Sequence, residues 1–134
     1  EKKIEKYKER EIVNNEDISS IVKTQIIKDG DDFKINWISK FLILKVWDSN
    51  QEDGDKINLS VNGNLILDNY ETKNKPKKIR YKLLKGNNII NIRATSIGKS
   101  SPNTSRVELI DRKKKYPILT QLELNKSAII KIIK

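Results

Sequence analysis

The chain has 134 residues, enough for one domain with a real core, and contains no cysteine and no histidine. That composition excludes thiol nucleophiles, disulfides, Cys/His zinc sites and imidazole acid–base catalysis. The net charge of +10 raises polyanions as partners, yet Lys outnumbers Arg 23 to 5, and Ile, Lys and Asn supply 22, 23 and 14 residues. This is the bias of an AT-rich coding sequence rather than of an Arg-based phosphate reader, so nucleic acid is not an expected partner.

Residues 1–15 form a charged N-terminal lead, with Ile4 and Tyr7 the only apolar side chains of its first ten residues; residues 16–134 read as a single domain. Residues 21–27 are rich in β-branched side chains and predict a strand. After the turn at Asp29-Gly30-Asp31-Asp32, Phe33, Ile35 and Trp37 alternate with Lys34, Asn36 and Ile38. Residues 41–47 are the most continuously apolar segment and predict a central strand. Ile57, Leu59 and Val61 share one face of the next strand, and Asn62-Gly63 is a hairpin signal because both turn positions need positive φ. Residues 65–67 follow, then a polar loop ending at Pro76, a residue suited to a sheet edge.

Ile79, Tyr81 and Leu83 alternate with Lys78, Arg80 and Lys82, and the turn at Lys85-Gly86-Asn87-Asn88 predicts a hairpin into Ile90, Ile92 and Ala94. Val107 and Leu109, then residues 118–122 and 128–133, complete the set, with a charged hairpin turn at 111–115. Eight or nine short strands with almost no helical period predict an all-β fold, an antiparallel β-sandwich of jelly-roll or Ig-like type. No apolar run approaches the length of a membrane span. No signal peptide is visible, but a chain that begins abruptly at Glu1 reads as a mature or excised piece, so this decides nothing about export.

The stretch that departs from this basic composition is 47–55, where Asp48, Glu52, Asp53 and Asp55 crowd a loop between two strands. Like charges repel unless they are solvated or neutralised. In one reading Asp48, Asn50, Asp53 and Asp55 gather oxygens around a hard cation such as Ca2+. In the other, Asp, Asn and Gly simply suit a turn, with Asp48 capping backbone N–H groups and the remaining acids paired with lysines. A helix-flanked calcium loop is excluded because the flanks are strands and the terminal bidentate Glu is missing.

Trp47-Asp48 with Asp53-Gly54-Asp55, Ile57, Leu59 and Asn62-Gly63 resembles a pattern of exported and envelope proteins of the Bacteroidota, W-D-x-x-x-x-D-G-D-x-I-x-L-x-x-N-G. Leu84 to Asn88, Ala94-Thr95-Ser96-Ile97-Gly98 and Pro102-Asn103-Thr104 are similar to its later elements. Ser96 and Ser101 depart from it, standing where the family prefers Asn and Pro. The resemblance covers about residues 40–134 and implies an extracytoplasmic β-sandwich module of largely uncharacterised function: periplasmic, on the outer-membrane surface, or secreted.

The expected function is therefore non-enzymatic binding of a protein or glycan partner at the cell surface, as a monomeric module of a larger protein or assembly. The alternative is a carbohydrate-binding module using exposed aromatics. Trp37 and Tyr70 are the candidates, Trp47 and Tyr81 being expected in the core. Lys78, Arg80 and Lys82 make one sheet face positive, either to protect an edge strand or to dock an acidic partner. A glycoside-processing enzyme needs two carboxylates across a cleft, which one loop does not supply. Ser100, Ser101 and Ser105 have no histidine to activate them.

Overall fold

Alternation at period two decides the architecture, because each strand buries one row of side chains and exposes the other. A computed structural model describes residues 23–49, 52–99 and 101–134. The charged lead, Ile21, Val22, Asn50 and Ser100 lie outside the described residues. Within them the strands are β1 (Gln25–Lys28), β2 (Asp32–Asn36), β3 (Phe41–Trp47), β4 (Asp55–Val61) and β5 (Asn64–Glu71). They continue as β6 (Lys77–Lys82), β7 (Asn87–Ile97), β8 (Asn103–Asp111), β9 (Lys114–Leu122) and β10 (Ser127–Ile133).

Two five-stranded sheets face each other, ordered β1-β9-β8-β3-β6 and β2-β10-β7-β4-β5. The sandwich thus has ten described strands rather than eight or nine. Pairing is antiparallel except at two edges, where β1 runs parallel to β9 and β2 parallel to β10. No helix among the described residues is long and apolar enough to cross a membrane. Leu42, Leu44 and Val46 of β3 meet Ile57, Leu59 and Val61 of β4 and Ile90 and Ile92 of β7 in a core from which water is excluded. Each such side chain contributes roughly 1.5–3 kcal/mol on burial.

Only β4–β5 and β8–β9 are joined as hairpins within one sheet; every other connection crosses between the sheets. Asn62-Gly63 makes the tight turn its sequence predicts, with φ of 52° and 80°. The hairpin expected at residues 85–88 does not form, since β6 lies in the first sheet and β7 in the second. There the Asn88 side chain takes the place of ladder pairing. Its amide oxygen accepts from Leu84 N (2.8 Å), and its amide nitrogen donates to Leu84 O (2.8 Å). A turn-forming sequence reverses the chain, but the sheet it returns to is chosen by where its apolar face finds cover.

These crossings leave two ends. One collects the β3–β4, β5–β6 and β7–β8 connections. The other collects the β4–β5 turn, the β6–β7 connection and residues 37–40, tied down by Ile38 N and Ser39 N donating to buried Asp111 at 2.7 and 3.0 Å.

Candidate metal centre

The first of these ends holds the acidic loop, and its geometry follows from the strands beneath it. Inward positions of β3 are Leu42, Leu44 and Val46, and one further step inward is Asp48. On β4 the inward row Val61, Leu59, Ile57 continues to Asp55. Where the apolar rows run out, the same periodicity sends carboxylates into the end of the core. Asp48 and Asp55 are accordingly only 3% and 2% exposed. Asp53 arrives from the loop, and each of the three offers a carboxylate oxygen within 4.8 Å of the other two.

Downstream strands close the site. A register shift between β4 and β7, where Lys56 pairs with Ser96 and Ile57 with Ala94, leaves Thr95 as an extra residue opposite the Lys56–Ile57 step, next to the Asp55–Ile97 pair. Bulges of this kind re-aim the chain near functional sites. The β7–β8 connection then folds against the loop, Lys99 N donating to Asp53 O at 3.1 Å. Gly98, at φ +65°, approaches so closely that a Cβ would press on the Asp53 carbonyl oxygen and lie 2.9 Å from Asp55 Oδ1. Thr104 N donates to Asp55 Oδ2 at 3.0 Å, and Asn103 Nδ2 bridges Ser96 O (2.6 Å) and Lys56 O (2.8 Å). From the other side Asn74 Nδ2 donates to Asp48 O, and Asp48 N to Lys73 O, both at 2.7 Å.

These contacts hold the backbone of the site and leave carboxylate oxygens unsatisfied. Asp53 Oδ1, Asp55 Oδ1 and Asn103 Oδ1 are buried and accept no hydrogen bond. No ion pair reaches Asp53 or Asp55 among the described residues; the nearby Lys73 binds Glu71 at 2.9 Å and approaches Glu52 at 4.0 Å. The expected pairing of Asp53 and Asp55 with lysines is therefore not what the fold makes. Burial pushes the Asp55 carboxyl up to about 7, against the Thr104 hydrogen bond, and the charges of Asp53 and Asp48 add to the rise. Such a group holds either a proton or a cation.

Scans against protein-family models, curated proteins and solved structures found no match. What the site can do must come from its chemistry. An all-oxygen donor set without His or Cys selects hard cations over zinc or copper. Two oxygens on one Ca2+ lie at most about 5 Å apart, given metal–oxygen distances near 2.4 Å. The spacing of the three aspartates satisfies that limit.

Of the residues expected to ligate, Asp48, Asp53 and Asp55 are brought together, while Asn50 lies outside the described residues. The aromatic expectations change. Trp37 is 5% exposed, its indole N–H donating to Phe41 O at 3.0 Å and Ser39 Oγ at 3.2 Å, because its alternation with Phe33 and Ile35 points inward. Tyr70 is half-buried and packs against the core. Trp47, expected inside, is half-buried on the outward row of β3. Lys78, Arg80 and Lys82 lie exposed along β6, an edge strand of the first sheet. Gly98, Asn103 and Thr104 were not foreseen as site residues. They lie more than forty positions beyond the loop, and no spacing rule links them to it.

Proposed function

We propose that this chain is a non-catalytic binding module of an exported or cell-envelope bacterial protein, in which Ca2+ ties together the loops at one end of the sandwich. One observation carries the metal reading: three carboxylates converge where Asp53 Oδ1 and Asp55 Oδ1 are buried without a donor. A cation would neutralise a cluster in which burial first, and then the charges of Asp53 and Asp48, raise the Asp55 carboxyl to about 7. It would also fix the β3–β4 loop against Gly98 and Thr104, holding that end of the sandwich rigid. Catalysis fits less well, since a carboxylate 2% exposed has little surface to offer a sugar. The export and envelope assignment rests on the resemblance described above.

Calorimetry of the chelated chain with CaCl2 tests the metal reading. The expected result is saturable heat and a higher melting temperature with Ca2+, both lost in Asp53→Asn and Asp55→Asn. Absence of heat together with an unchanged melting temperature rejects it.

A further inference from the structure

The outer face of the first sheet carries a feature that no single strand reveals. On β3 the buried row alternates with outward Phe41, Ile43, Lys45 and Trp47. Register then places Lys45 directly beside Lys78 of β6, Ile43 beside Arg80, and Phe41 beside Lys82. On the other side Trp47 meets Arg106 of β8, and Ile110 meets Lys115 of β9. Cations thus occur on four adjacent strands of one face, with apolar side chains between them. Glu108, paired with Lys45, is the acidic residue in these rows among the described residues. The second sheet covers only the inner side of this layer.

This arrangement exceeds what edge protection needs. Lysines on β6 alone would block edge-to-edge pairing, whereas Lys45 and Arg106 lie on interior strands. Like charges directly opposite across a ladder, as at Lys45 and Lys78, are destabilising, so the fold tolerates a cost there. Half-exposed Ile43, Ile110 and Trp47 between the cations form a mixed apolar and basic plane rather than a solvating fringe.

We infer that this face binds a linear acidic polysaccharide, a polymer with a carboxylate on each sugar. Charge complementarity supplies the attraction. Successive cations along β6 lie about 6.7 Å apart and neighbours across strands about 4.8 Å, so several charges of an extended chain are met at once. Trp47 offers a ring with an apolar face to the C–H face of a sugar. A single-stranded nucleic acid is less well served. Stacking of successive bases needs several open aromatic planes, and the Phe41 ring is covered by the Arg80 guanidinium 3.6 Å from its centroid, which leaves Trp47 alone on the outward row of β3. The inference names the partner of the binding module proposed above but uses none of the metal-centre residues.

The test is affinity electrophoresis and calorimetry of the whole chain against sodium polygalacturonate in chelator, with dextran as the neutral control. The expected result is retention by polygalacturonate but not by dextran, falling as ionic strength rises to about 0.15 M. Lys45→Gln/Lys78→Gln should weaken binding by about tenfold with a melting temperature no lower than that of the wild type, since the repulsion between the two lysines is removed. Lys34→Gln/Lys131→Gln removes the same charge from a register pair on the second sheet and should leave binding unchanged. No retention at low salt, equal loss in both double variants, or tighter binding to oligothymidylate or phosphatidylglycerol vesicles overturns the inference. Asp53→Asn should bind polygalacturonate normally. A chain that takes up no Ca2+ yet is retained loses only the metal reading.

Discussion

At the scale of single residues, two buried aspartates show how placement decides the role of a carboxylate. Asp111 is 5% exposed and accepts from Ile38 N and Ser39 N, so its charge is met by donors within the fold. Asp111→Ala should destabilise the chain by roughly 1–3 kcal/mol in urea unfolding, because two backbone N–H groups lose their acceptor. Asp55 is as deeply buried, but its Oδ1 has no donor and faces other acids. Asp55→Asn should therefore raise the melting temperature of the chelated chain while abolishing any shift with Ca2+, the opposite sign to Asp111. Gly98 presents a third case. With φ at +65° and the Asp53 carbonyl oxygen where a Cβ would go, Gly98→Ala should cost about 1–3 kcal/mol and weaken Ca2+ uptake together.

Elements follow a simpler rule, and much of it was readable beforehand. The Asn62-Gly63 hairpin, the apolar row of β3 and the edge character of the strand after Pro76 all come from local chemistry. Pairing partners do not. The Lys85 to Asn88 turn has the residues of a hairpin yet joins two sheets, because β6 completes an edge of one while β7 fills the centre of the other. Trp37 and Trp47 exchanged their expected places for a related reason. Polar neighbours argued that Trp37 was exposed and an apolar run that Trp47 was buried, yet strict alternation from Ile35 and from Val46 gives the reverse. The edge position of β6 carries its own prediction. Lys78→Val/Arg80→Val should increase light scattering on concentration, since the strand's free hydrogen-bonding groups lose their charged guard.

For the molecule as a whole, the acidic end links stability to pH. The folded Asp55 carboxyl titrates near 7 against an ordinary value of 3.8. Between these values the folded chain holds a proton that the unfolded chain has released, so this group's stabilisation is complete below about 4 and is lost as pH rises through 7. Chelated wild type should melt at progressively lower temperature across that window. Asp55→Asn should flatten the slope, as should saturating Ca2+, which takes the place of the proton. A slope unchanged by the substitution would assign the dependence to other groups.

Composition and period-two patterning determined on their own that this chain is an all-β sandwich without thiol or imidazole chemistry, and they marked 48–55 as the place where its charge is anomalous. Both are local properties, set by which side chains alternate and which are missing. Tertiary structure alone decided that Asp48, Asp53 and Asp55 meet Gly98 and Thr104, and that Lys45, Lys78 and Arg106 share one plane with Trp47. Those neighbours come from different strands, and strand register is settled by packing two faces together, a constraint that no short segment carries.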